Sequence, residues 1–206
     1  MSISYPLALP TVTGLRSVRL MARTTVAVSE SPFTLQQQVQ RHAGQHWAAA
    51  IALPPMERPA AEEWWAFQIK LNGMEGTFLL GDPAGVTPRG IATGTPLVKG
   101  VSQTGNSLIT DGWTANQTGI LKAGDYLQLG SGSSARLHKN LNDPNSDGTG
   151  TATLDIWPRL RSSPADDAPI VVNNCQGVFR LETNEIMADI ELALIYGLNF
   201  AAREAF

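Results

Sequence analysis

The chain has 206 residues, 43% of them apolar and 16% charged, with a formal charge of −3 at pH 7. That suffices for a packed core and is too little charge for bulk disorder, while 15 basic against 18 acidic side chains disfavour a nucleic-acid coat or a basic membrane binder. The lone Cys175 excludes an intrachain disulfide or multi-cysteine zinc site; with no apolar run near the ~20 residues of a membrane span and no signal-peptide pattern in residues 1–16, a soluble protein is expected.

Strand character opens at residues 17–28 (SVRLMARTTVAV), continues past a Ser-Pro turn at 33–40 (FTLQQQVQ) and resumes at 45–53 (QHWAAAIAL), where Pro54 and Pro55 stop it. Connections this short suit an antiparallel meander. One helix is marked next. Pro59 takes a first helical position, Glu62 and Glu63 favour its positive end, and Gly73 ends it. Ala60, Trp64, Phe67 and Leu71 fall on one face, ready to pack on a sheet. Residues 76–80 (GTFLL) read as a further strand before Gly81-Asp82-Pro83.

The middle of the chain is built differently. Thirteen of the 19 glycines lie between Gly81 and Gly150, and no Glu, Met or Phe occurs between Phe78 and Phe179. Five short strand candidates follow one another there: residues 97–101, 107–111, 125–129, 135–139 and 151–157. That number suits a small five-stranded barrel of the OB-fold kind, inserted into the outer segments; a single sheet with one long decorated loop is the alternative. The expected division is 1–83 plus 165–206 as a β core domain and 84–164 as the inserted barrel. Beyond it, residues 177–181 (GVFRL) and 186–196 (IMADIELALIY) return to strand, the latter alternating at Ile190, Leu192, Leu194 and Tyr196. The fold class expected is mainly β: a β-sandwich-like core domain with one α-helix, and a small barrel set into it.

No catalytic constellation assembles. Asp143, Asn145 and Asp147 before Gly148 resemble the opening of a calcium loop, but the twelfth position is Leu154 and the same residues make ordinary turns. His42 and His46 flank Gly44 in strand-like sequence, and His138 lies far along the chain. Cys175 has no base beside it, and neighbouring Glu62 and Glu63 diverge on a helix. Nucleophile-elbow, phosphate-loop and dinucleotide motifs are missing. The expectation is therefore no enzyme, no cofactor and no metal, with the interface residues unknown. An OB-like module could instead stack bases on Trp113, Tyr126 and Trp157 beside Arg159 and Arg161, or bind a glycan.

Residues 31–83 (SPFTLQQQVQRHAGQHWAAAIALPPMERPAAEEWWAFQIKLNGMEGTFLLGDP) resemble the N-terminal part of the distal tail proteins of long-tailed, siphovirus-type bacteriophages. So do residues 121–161, from LKAGDYLQLG through an Asp/Gly turn to IWPRLR, and the later GVFRL. The resemblance covers most of the chain and is one of order and texture. It implies a β core domain carrying an inserted OB-fold, and a hexameric ring at the tail tip of the virion, assembled in the bacterial host cytoplasm. Implied partners are further copies of the chain, the major tail tube protein, baseplate hub or tail fibre proteins and the tape-measure protein, with DNA as transiting cargo and no membrane. Extra carbohydrate-binding insertions of some relatives have no room here beyond the OB-sized segment.

Overall fold

The computed structural model describes residues 3–190 and 195–206. The chain is mainly β, as its composition implies. In order come β1 (Ser17–Glu30), β2 (Gln37–Ala52), β3 (Met56–Glu57), α1 (Arg58–Lys70), β4 (Phe78–Leu80), β5 (Gly94–Val98), β6 (Gly105–Trp113) and β7 (Tyr126–Leu129). Then follow β8 (Arg136–Asn140), β9 (Ala152–Leu160), β10 (Ile170–Val171), β11 (Gly177–Leu181), β12 (Asp189–Ile190), β13 (Ile195–Gly197) and β14 (Asn199–Glu204).

The outer segments form a five-stranded sheet in the order β1-β2-β14-β11-β4. Helix α1 covers one of its faces. Pro59 sits in the first turn, where its missing N–H costs nothing, and the chain leaves the helix through Asn72 and Gly73, both at positive φ. Ala61, Trp64, Phe67 and Leu71 are buried, and Ala60 is half-buried. Phe67 meets Phe78 edge-on at 5.7 Å, and Phe78 also packs on Phe179 and Phe200, so phenylalanine, which the middle segment lacks, is gathered under this helix.

The middle segment curls into a six-stranded, nearly closed barrel, order β10-β7-β8-β9-β6-β5. Within it, β6 lies beside β9 while β7, β8 and β9 follow by neighbour, a Greek-key arrangement. Strand β9 buries every second residue, from Ala152 through Leu154, Ile156 and Pro158 to Leu160. The five strands expected from the sequence are all present, and β10 is a sixth. The Val98 N–H donates to Ala168 O and the Asp167 N–H to Val98 O, both at 2.9 Å, closing the gap between β5 and β10. The barrel thus runs past Pro164 to Val171; a two-residue strand inside APIVV carries too short a pattern to stand out.

Two other expectations change. The three-stranded meander over residues 17–53 is one long hairpin, because residues 41–44, which look like a turn around Gly44, continue in β2. They form a bulge: between the pairs Thr24↔Gln45 and Val26↔Arg41, β2 carries three residues and β1 one. A Cβ on Gly44 would lie 2.7 Å from Thr25 Oγ1, so the glycine serves the bulge rather than a reversal. At the other end, 186–196 is not one strand. Strand β12 pairs with β13, and β13 with β3, in a small separate sheet, and the core strand is β14 instead. Leu192 and Leu194 lie outside the described residues.

Candidate functional site: a projecting hairpin and the seam at its root

Strand β2 pairs with β14 only over Ala48–Ala52, so the β1–β2 hairpin leaves the sheet as a two-stranded ribbon. Beyond the bulge, the pairs Val26↔Arg41 to Glu30↔Gln37 extend it by about 17 Å. Apart from half-buried Ser31, every residue from Ala22 to Gly44 is exposed. The ribbon is nonetheless two-faced. Val28 stands opposite Val39, and Val26 lies on the same side two residues away, with Arg41 and the Glu30–Gln37 pair flanking them on that side, while the other face carries Ala27, Ser29, Gln38 and Gln40. At the tip Phe33 is 93% exposed and Leu35 70%. Leu35 is held at φ 57°, with its N–H donating to Ser31 O at 2.9 Å. A left-handed conformation is costly for leucine, which makes the tip's exposed apolar side chains harder to dismiss as loop filler.

The ribbon is anchored by its root. Trp47 of β2 is buried against the barrel: its Nε1–H donates to Leu137 O at 2.9 Å, and its ring meets Trp157 edge-on at 4.5 Å. Beside it, Arg161 clasps Glu204 through both guanidinium nitrogens, at 3.1 and 3.2 Å. Arg161 Nη2 also donates to Gln45 O at 2.5 Å, and the Arg159 N–H to Gln45 Oε1 at 2.8 Å. Tyr126 and Leu137 of the barrel belong to the same apolar cluster as the outer sheet, so the seam is packed as a core.

On the sheet face turned away from α1, pairing register brings Ser17, Ala52 and Asn199 into one row, then Arg19, Ala50 and Ala201, then Met21, Ala48 and Arg203. Since β2 raises only methyl groups here, a shallow groove runs along it. Arg19, Arg23, Arg203 and Arg180 rim this face, and Glu182 answers Arg23 at 2.9 Å. His46 shares the face, and burial, then the charge of Arg23, pull its pKa below the usual imidazole value.

The residues singled out in the sequence are accounted for by local bonding. The Asp143 carboxylate accepts from the Ala123 N–H and lies 3.4 Å from Lys122 Nζ; Asn145 Oδ1 accepts from the Gly119 N–H. Asp147 Oδ1 accepts from the Thr149 N–H, the Thr149 hydroxyl and the Thr151 N–H. These bonds hold both carboxyls below the usual range, first the Ala123 amide for Asp143 and the Thr149 hydroxyl for Asp147. The oxygens of the calcium-like loop thus staple the barrel. Among the described residues no His, Cys, Asp and Glu gather in a metal-binding group. Burial pushes the Cys175 thiol up to about 12, and Sγ faces Val171 O, so it is no nucleophile at neutral pH. Trp113 is 4% exposed with its indole N–H on Thr110 Oγ1, Tyr126 is 8% exposed, and Trp157 meets Trp47 edge-on. Trp113 and Tyr126 are thus buried in packing, while Trp157 is half-buried.

Sequence reasoning missed the ribbon because its residues read as two strands with a turn between. The available signal was the pair of valines facing each other across β1 and β2 where no core could reach. No described helix is long and apolar enough to cross a membrane. Compared with known proteins, the chain matches no family model and no curated protein.

Proposed function

We propose that this protein is a structural adaptor of a bacteriophage tail tip. Its copies join head to tail into a ring, a hexamer on the resemblance, that links the tail tube to hub or fibre proteins and leaves a passage for DNA. The observation that carries this reading is the projecting, two-faced hairpin. An isolated two-stranded ribbon is marginal in water, and this one turns valines, a phenylalanine and a leucine outward. A ring subunit needs two different surfaces that meet. The valine face of the ribbon and the alanine-floored groove on the sheet are such a pair: one raises branched side chains, the other leaves room for them. The free edge of β1 adds unpaired backbone groups that a neighbour's strand can satisfy.

Light scattering and electron microscopy of the full chain at tens of micromolar test the reading. A closed ring is expected, and Ala201→Trp, which fills the groove from an exposed position, is expected to give folded monomers. Wild-type protein that stays monomeric without rings overturns it.

A further inference from the structure

The seam encloses a cavity of about 300 Å³ between the barrel and the end of β14, at the small end of the range for ligand sites. Its floor is apolar, from Leu129, Leu160 and Ala168. The cavity is also lined by three arginines, Arg136, Arg159 and Arg161, and by one acidic residue, Glu204. That carboxylate is fully used. Arg161 donates to both of its oxygens, and the Trp47 N–H donates to Oε2 at 3.0 Å. Arg136 donates only to the carbonyls of Ser133 and Ala135, and the Arg159 guanidinium makes no hydrogen bond among the described residues. Both arginines are half-buried. Among the described residues, Glu204 is the one acidic side chain lining this cavity beside three arginines; its charge acts on Arg136, but Arg161 already holds both of its oxygens.

A third group completes the polar set. His138 is 5% exposed and lines the same cavity. Its Nδ1 lies 2.8 Å from Pro158 O; a carbonyl only accepts, so Nδ1 carries the hydrogen and Nε2 keeps its lone pair. No described residue donates to Nε2.

We propose that this cavity binds a small organic hydroxy acid. Its carboxylate lies between Arg136 and Arg159, its hydroxyl donates to His138 Nε2, and its carbon skeleton rests on Leu129, Leu160 and Ala168. Guanidinium forks match a carboxylate in geometry as well as charge. The chemistry is shared by sugar acids and by aromatic hydroxy acids, and it holds whether or not the protein forms a ring.

Titration calorimetry and saturation-transfer NMR on the full chain, with glucuronate and 4-hydroxybenzoate as probes and glucose and 4-hydroxybenzamide as neutral partners, test it. At least one acid is expected to bind at least ~10-fold more tightly than its neutral partner, the two arms telling the sources apart. Arg159→Gln, and separately Arg136→Gln, should each weaken that acid roughly tenfold while circular dichroism is unchanged. The Arg159 guanidinium makes no hydrogen bond among the described residues, so its variant serves even if Arg136→Gln fails to fold. Absence of binding by either acid at ~10 mM overturns the proposal. So does equal binding by inorganic phosphate, or full affinity in Arg159→Gln.

Discussion

The barrel and the β1–β2 ribbon are both made of antiparallel strand pairs, yet they are stabilised in different ways. Barrel strands have neighbours on both sides and a filled interior, and their loops are stapled by side chains. Asp125 shows how: its nearly inaccessible carboxylate accepts from the N–H groups of Arg89, Gly90 and Lys122 and from Arg89 Nε. Burial alone would raise its pKa, but these donors outweigh it and leave the group below the usual carboxylate range. The ribbon beyond Thr24 has one neighbour per strand and no side chain buried. A chain that closes one region so fully and leaves valines in water in the other has its unmet demand in the ribbon. In the proposed ring, a neighbouring copy meets that demand.

Trp47 is where the two regions join, and its loss is expected to have the largest effect. Trp47→Ala removes an indole that is 4% exposed, with its hydrogen bond to Leu137 O and its contact with Trp157. Truncation of a buried tryptophan costs about 4 kcal/mol, read as a lower urea midpoint. A drop under about 1 kcal/mol would mean that ribbon and barrel are held separately, and the contrast drawn above would lose its hinge.

The next effect belongs to the barrel side alone. Burial lowers the pKa of His138 from 6.5 to about 4, only partly offset by its bond to Pro158 O. A folded-state pKa below the unfolded one means that the unfolded chain takes up the proton first as pH falls. Stability is therefore full above about 6.5 and declines toward about 4, by about 3 kcal/mol in all. His46, also lowered, adds in the same direction as pH falls below about 6.5; Asp125, Asp143 and Asp147, held down as carboxylates, act at lower pH. Urea titrations at about pH 7 and about pH 5 should differ clearly in the wild type and much less in His138→Gln.

What could be read in the sequence follows the same contrast. The helix was legible because Pro59, Gly73 and the spacing of Trp64, Phe67 and Leu71 all agree, and the five principal barrel strands because glycine turns bracket them. Strands β10 and β14 were not, since Ile170–Val171 is two residues long and Asn199–Glu204 alternates Phe200, Ala202 and Glu204 inward. Glu204 looks like a surface residue until Arg161, distant in sequence, is seen to pair with it. The ribbon was hidden by Gly44, whose bulge mimics a turn, and the cavity by the scatter of Arg136, His138, Arg159 and Glu204 over three strands.

On the ribbon the expected effects on folding are small and those on assembly large. Val28→Ser with Val39→Ser should shift monomer stability by about 0.5 kcal/mol or less, because both side chains are more than half exposed. The same change should abolish ring formation by light scattering. Rings that persist would place the neighbour's contact elsewhere and leave the valine face without a role.

The smallest and sharpest test is Leu35→Gly. Glycine removes about 1 kcal/mol of left-handed strain but returns most of it as backbone entropy, so the net change in folding should be a few tenths of a kcal/mol. The hydrogen bond from residue 35 to Ser31 O, and with it the turn, is kept. What disappears is only the 70% exposed isobutyl group. If the tip inserts into a neighbouring copy, the variant should need several-fold higher protein concentration to assemble, measured by sedimentation velocity. Unchanged assembly would confine the contact to the valine face below the tip, and the strain at Leu35 would then be a property of the turn alone.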